Sequence, residues 1–222
     1  MLVLCVSAFA QDPVAAFPQN YRVLLDNDRV HVLRAHYGPH EAIGVHDHSD
    51  RPTIYVYLND SGPVRFVHEP ENLVLDRAPT QTGGFRVSPG RMERHRVLNL
   101  SGKPSEYVRV ELKRIPVGTL KPEFRAAPPQ APLVPGITVV YNTPQLRIVR
   151  VICAAETMCD LASAGAPSVL VAFTPLRLRN RGKISSLTEA SPVGWLPNGE
   201  AATARSENKE PIHMLRIYLP VH

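Results

Sequence analysis

Gly83-Gly-Phe-Arg-Val-Ser-Pro89-Gly90-Arg-Met-Glu93-Arg-His95-Arg-Val-Leu-Asn99 decides how this chain is read, together with His46-Asp47-His48 upstream. Pro89-Gly90 turns the chain, so the next strand is expected to begin with His95. His46-Asp47-His48 stands just before a strand-like run, Thr53–Leu58. In extended backbone, residues two apart point to one side, so the two imidazoles converge while Asp47 faces away. That is the spacing one metal ion needs from a single strand, and His95 is the expected third ligand. The plain alternative is three polar side chains satisfied without a metal.

Working outward, short β-type runs recur on both sides of a proline-rich stretch. Before it come Arg29–Tyr37, Thr53–Leu58, Val64–His68, Gly84–Val87 and Tyr107–Leu112; after it come Leu146–Cys153, Ser168–Phe173, Leu176–Leu178 and Met214–Leu219. Val, Ile, Tyr and Phe dominate several of them, and Gly, Pro, Asn and Asp punctuate the gaps. Prolines number 22 in 222 residues, about twice the usual ~5%, which excludes a mainly helical chain. Six of them fall between Ile115 and Pro135, marking a stiff connector. The expected organisation is a leader remnant at 1–10, a first barrel at 11–115, a linker at 116–136 and a second barrel at 137–222. The halves also read as copies. Asn27-Asp-Arg-Val-His-Val matches Thr143-Pro-Gln-Leu-Arg-Ile, Asp50-Arg-Pro-Thr matches Gly165-Ala-Pro-Ser, and Gly102-Lys-Pro-Ser matches Lys209-Glu-Pro-Ile, in the same order. Seven of the nine histidines lie in the first half; only His213 and His222 lie in the second.

These residues resemble the cupin family. Its first motif carries His-x-His, a glutamate and a closing glycine; its second carries Gly, Pro-x-Gly, His and Asn. Here Gly83, Pro89-Gly90, His95 and Asn99 match the second motif in residue types and total spacing. His46-Asp47-His48 matches the first, although Gly44 comes directly before Val45-His46, the glutamate's place falls on Thr53 or Pro52, and Gly62 closes late. The resemblance covers the first half and reaches the second through the repeat. It implies an all-β chain of two tandem cupin-type jelly-roll β-barrels, a bicupin with a metal-type first barrel and a degenerate second. It also implies a divalent transition metal (Zn, Fe, Mn, Ni or Cu) on His46, His48 and His95 as neutral imidazoles, with positions left open for water or substrate. Without the glutamate the site carries less negative charge.

Other residues are weighed beside these. Glu93 shares the face of His95 if the strand starts early, as a ligand or general base; otherwise it is a polar residue at the barrel mouth. Tyr55 and Tyr57 have the parity of Thr53 and should point inward, to line a pocket or to fill the barrel. Thr53 and Asn99 are counted with the pocket or its support. His40, in Gly38-Pro-His-Glu, reads as a solvated turn residue. In the second half, Leu161, Ser163 and Ala202 match His46, His48 and His95. That barrel cannot hold the same metal, and its expected role is to cover the first barrel's sheet edge or face, as a dimer partner would.

The charge, 25 basic against 20 acidic residues, is scattered and has no aromatic-rich basic motif, so nucleic acid is not an expected partner. Residues 1–10 are apolar, uncharged and end in Ala-Phe-Ala, like a secretory leader without its basic end; the expected location is periplasmic or secreted, the alternative cytoplasmic. No stretch has the length of a membrane span. Beyond the leader only Cys153 and Cys159 remain, as a disulfide in an oxidising compartment or as free thiols in a reducing one. No phosphate loop or nucleophile elbow is present. Two functions stay open: a metal-dependent oxygenase or isomerase of a small molecule, and a non-catalytic exported protein binding a small ligand. A homodimer fits either.

Overall fold

A computed structural model describes residues 11–162, 165–197 and 200–219; the segment 1–10 expected to be a leader remnant, Ser163 and His222 lie outside them. One short helix, α1 (Pro13–Ala16), begins at Asp12, whose carboxylate accepts hydrogen bonds from the Val14 and Ala15 amides. The first barrel follows as β1 (Tyr21–Asp26), β2 (Val30–Tyr37), β3 (Ala42–His48), β4 (Thr53–Tyr57), β5 (Val64–His68), β6 (Leu73–Arg77), β7 (Phe85–Ser88), β8 (Glu93–Asn99), β9 (Ser105–Leu112) and β10 (Phe124–Ala126). The second is β11 (Gly136–Asn142), β12 (Arg147–Cys153), β13 (Cys159–Leu161), β14 (Ser168–Ala172), β15 (Leu176–Asn180), β16 (Lys183–Leu187), β17 (Val193–Leu196), β18 (Ala202–Ser206) and β19 (Ile212–Tyr218).

All pairings are antiparallel. The first barrel joins a sheet ordered β1-β2-β9-β4-β7-β10 to one ordered β3-β8-β5-β6. The second joins β11-β12-β19-β14-β17 to β13-β18-β15-β16. Each of β1 to β9 thus has its counterpart ten strands later, in the same place of the same sheet, as the sequence repeat implies.

Apolar burial falls into three layers. Tyr21, Tyr37, Tyr55, Tyr57 and Tyr107 dominate the first barrel's interior. Leucine, valine and alanine fill the second, with Met214 and Cys159. Between them lies a third layer, with Ile54, Val56, Val108 and Val110 from the first large sheet packed with Ile148, Val169, Val171 and Leu215 from the second. The second barrel therefore covers a face of the first. This explains why β4 and β14 are buried at every residue: alternate side chains enter the barrel and the joint between barrels. Arg150 pins that joint. It donates to the Gly83 carbonyl and lies 2.6 Å from His213 Nε2. Gly83 has φ +86°, and a Cβ there would come within 2.7 Å of the His213 ring, so this position needs glycine for its backbone and for the joint.

Two expectations are corrected. Strand β8 starts at Glu93, not His95, because Gly90 (φ +89°) completes the turn early and leaves Arg91 and Met92 exposed before the strand begins. The segment 116–136 is not connector throughout: β10 pairs Phe124 with Val87 and Ala126 with Phe85, adding a strand to the first barrel. No proline lies between Pro122 and Pro128, so backbone N–H donors are free there for a ladder. The Cys153 and Cys159 pair is a disulfide between β12 and β13, with Cα atoms 5.7 Å apart.

Candidate metal centre

Strands β3 and β8 lie side by side, with His46 opposite His95 and His48 opposite Glu93. A register shift between Ile43 and His46 lets both residues, three apart, point inward. Along β8 the pattern is strict: Glu93, His95, Val97 and Asn99 are buried, and the residues between them are not. The three imidazoles are 0%, 5% and 3% exposed, and one ring nitrogen from each lies within 4.8 Å of the others. The buried trio can hold a metal ion. Asp47 faces away, as expected, accepting from Arg94 and the Gln11 amide.

The ring nitrogens test that fit. His46 is held at both: Nδ1 lies 2.9 Å from the Gly44 carbonyl and Nε2 2.8 Å from the Tyr21 hydroxyl. The carbonyl can only accept, so Nδ1 carries the proton and the lone pair is on Nε2. His48 and His95 are different. All four of their ring nitrogens are buried with no hydrogen-bond partner, a costly arrangement for a core and an apt one for metal ligands. Burial lowers the proton affinity of all three, opposed at His46 by the Gly44 carbonyl; His48 is pushed well below its usual value, with Arg109 adding to the effect. His95 falls to about 3 through burial, with Glu93 opposing and the nearby cations assisting. Neutral imidazoles are what a metal requires.

Beside the trio is a buried charge network. Arg109 Nη1 donates to Glu93 at 2.7 Å and to the Tyr55 hydroxyl at 2.8 Å, and its Nε donates to Glu111 at 2.8 Å. Tyr55 donates in turn to Glu93 at 3.2 Å. Burial works to raise Glu93, but Arg109 outweighs it and holds the carboxyl at about 2; burial pushes the Tyr55 hydroxyl up. A second chain of hydroxyls runs from His46 through Tyr21 to Tyr37 (2.9 Å) and Tyr107 (2.6 Å). His95, Glu93, Tyr55, Tyr57, Tyr107 and Arg109 line one cavity of about 320 Å³.

The remaining sequence candidates lie elsewhere. Thr53 is buried at the start of β4, donates to the Arg51 carbonyl and is not in the cavity wall; its pairing partner Glu111 is directed to Arg109. Asn99 is a turn clamp rather than a pocket residue: its amide donates to the Gly38 and Lys103 carbonyls and its carbonyl accepts from the Ser101 amide. His40 is an exposed turn residue at φ 54°. Sequence reasoning passed over Tyr21, Arg77, Tyr107 and Arg109. The signal for Arg109 was present in Tyr107-Val-Arg-Val-Glu-Leu112, whose alternation sets Tyr107, Arg109 and Glu111 on one face, here the inner one. In the second barrel Leu161 pairs with Ala202, and both are buried among apolar side chains.

No family model matches the sequence, and no curated protein matches it. Solved structures do. The protein YhaK from Escherichia coli aligns with TM-score 0.64 at 12% identity, over 96% of this chain and 99% of its own. A salicylate 1,2-dioxygenase from Pseudaminobacter salicylatoxidans aligns with TM-score 0.55 at 12% identity, over 86% and 71%. A cupin 2 conserved barrel domain protein from Leptotrichia buccalis aligns with TM-score 0.53 at 13% identity, over 90% and 88%. Likeness at this identity concerns the fold, and with the four sheets and the buried histidine trio it gives the conclusion: this chain has the bicupin fold, two tandem jelly-roll barrels with a metal-type cluster in the first.

Proposed function

We propose that the first barrel binds a divalent transition metal through His46, His48 and His95 and acts there on a small molecule, as an oxygenase or isomerase. The observation that carries this reading is the set of four unpartnered, buried nitrogens on His48 and His95. When bound, a metal on three imidazoles supplies Lewis-acid or redox chemistry at its open positions. The protein's own groups do the rest. Gly44 fixes the His46 tautomer, and Tyr21 stands at Nε2 until that lone pair is used. Tyr107, Tyr37 and Tyr21 link the cavity wall to His46 by hydroxyls that can pass a proton. Arg109 keeps Glu93 ionised, so Glu93 orients a ligand beside His95 by accepting a hydrogen bond, and Tyr55, which donates to Glu93, holds that carboxylate in place.

One observation favours the non-catalytic binding reading. Glu93, the carboxylate next to the trio, is committed to Arg109 and is a weak base at neutral pH. Elemental analysis after expression with each metal tests the site: about one metal per chain is expected, lost in His48→Ala and His95→Ala, and none in the wild type refutes it. Oxygen uptake across phenols, thiols and diketones then tests the oxygenase branch, and substrate conversion without oxygen uptake, followed by NMR, tests the isomerase branch; a pure binder shows neither. The Cys153–Cys159 disulfide supports export to an oxidising compartment. Exported protein beginning at Gln11 is the expected product, and cytoplasmic protein retaining Met1 would contradict it.

A further inference from the structure

Five arginines, Arg77, Arg86, Arg91, Arg109 and Arg125, line the cavity beside His95, against two carboxylates, Asp76 and Glu93. Following each charge to its partner leaves one over. Arg109 is matched by Glu93 and Glu111. Arg91 approaches Glu93 at 3.7 Å. Arg86 and Arg125 share Glu123, at 3.4 and 2.8 Å. Asp76 is taken from behind by Arg65 at 2.8 Å, outside the cavity wall. Arg77 makes no ion pair among the described residues. Its Nη2 donates to the Ser105 hydroxyl at 2.6 Å and more weakly to the Ser61 hydroxyl at 3.4 Å, its Nε is buried with no hydrogen-bond partner, and its guanidinium stands 5.6 and 5.8 Å from the ring centres of Tyr57 and Tyr107.

We propose that this cavity is an anion subsite, in which Arg77 takes the carboxylate of a small, flat organic acid whose body lies against Tyr57, Tyr107 and Phe66. A guanidinium presents a planar fork matched to a carboxylate, and an unmet buried donor is satisfied by the ligand that brings the acceptor. Size agrees: about 320 Å³ is at the small end of ligand cavities, which run from roughly 300 to 1,000 Å³. The aromatic walls favour a flat apolar body. The inference deepens the small-molecule reading above, and it names the charge and shape of the molecule.

The test is calorimetric titration of the full-length protein with benzoate and with benzamide, its neutral counterpart of the same shape. It is done both with metal and after chelation. Benzoate is expected to bind at least about tenfold more tightly than benzamide in both preparations, with the preference weakened by added salt. Arg77→Met should abolish the preference and Arg77→Lys should retain part of it. Equal binding of the two probes by the wild type, no benzoate binding at millimolar concentration, or a preference that survives Arg77→Met would overturn the proposal. A preference present only with metal would also overturn it, since the metal and not Arg77 would then hold the carboxylate. Failure of the metal reading shows separately, as wild-type protein that takes up no metal while still preferring benzoate.

Discussion

Across β3 and β8 His46 faces His95; across the counterpart strands β13 and β18 Leu161 faces Ala202. The second barrel closes over that place with aliphatic side chains, whereas the first surrounds it with tyrosines and a charged network and keeps a cavity open. Arginines recur at matching places in the two copies, and one such pair carries the contrast. Arg109 on β9 stands opposite Tyr55, and Arg216 on β19 stands opposite Leu170, in matching registers. Arg109 meets two buried carboxylates; Arg216 meets none among the described residues and donates to the Ser168 hydroxyl and the Ala162 carbonyl, beside the Tyr218 ring. The strand plan therefore tolerates either filling. What distinguishes the site is the set of polar groups that support one another inside it.

The sharpest way to break this comparison is to remove both arginines in turn. Arg109→Met leaves Glu93 and Glu111 buried without their cation, so denaturant unfolding should show a loss of about 3–5 kcal/mol. Arg216→Met removes neutral hydrogen bonds, and a loss of about 1–2 kcal/mol is expected. Equal losses would mean that the two barrels use the residue alike.

Next in size is the pH response of the joint between barrels. Burial, with Arg150 adding to it, lowers His213 to about 4 from 6.5. The unfolded chain thus binds a proton that the folded chain refuses. Stability from this residue is full above pH 6.5, falls as the pH drops from 6.5 towards 4, and stops changing below that, for a total of no more than about 3 kcal/mol. Thermal melts of the wild type and His213→Gln should diverge across that window; parallel curves would contradict the assignment.

The disulfide belongs to the second barrel alone. Linking Cys153 to Cys159 closes a short loop, and its removal in a Cys153→Ser, Cys159→Ser double variant should lower stability by about 2 kcal/mol. Metal uptake by the first barrel should be unchanged. The smallest effect has the opposite sign. In metal-free protein, His48→Leu exchanges two unpartnered nitrogens for apolar atoms like those of the second barrel, and should raise stability by roughly 1–2 kcal/mol. A loss would show that His48 is satisfied without a metal.

Much of this contrast was legible in the residues. The pairing of His46 with His95, and the apolar Leu161 and Ala202 in their places, follow from short motifs and a repeat in which alternation sets the direction of each side chain. What the repeat could not convey is that β4 and β9 are buried on both faces. That hid the inward turn of Arg109 and Glu111 among valines that face the other barrel. Glu93 was read against a strand start two residues late, so its face was left undecided. Thr53 and Asn99 were assigned by motif position alone, and motif position does not say which backbone carbonyls lie within reach of a short polar side chain. Arg77 comes from a strand exposed along nearly its whole length, β6, which gives no amphipathic signal.

On this account a metal completes the otherwise unsatisfied trio in the first barrel, and the described residues of the second hold no equivalent trio. The most direct test of this is metal content measured alongside metal-induced stabilisation, for the wild type, His95→Ala and Ala202→Ser. About one transition metal per chain and a raised melting temperature are predicted for the wild type and Ala202→Ser, and neither for His95→Ala. Wild-type protein that takes up no metal, or His95→Ala protein that is stabilised as much as the wild type, would contradict it.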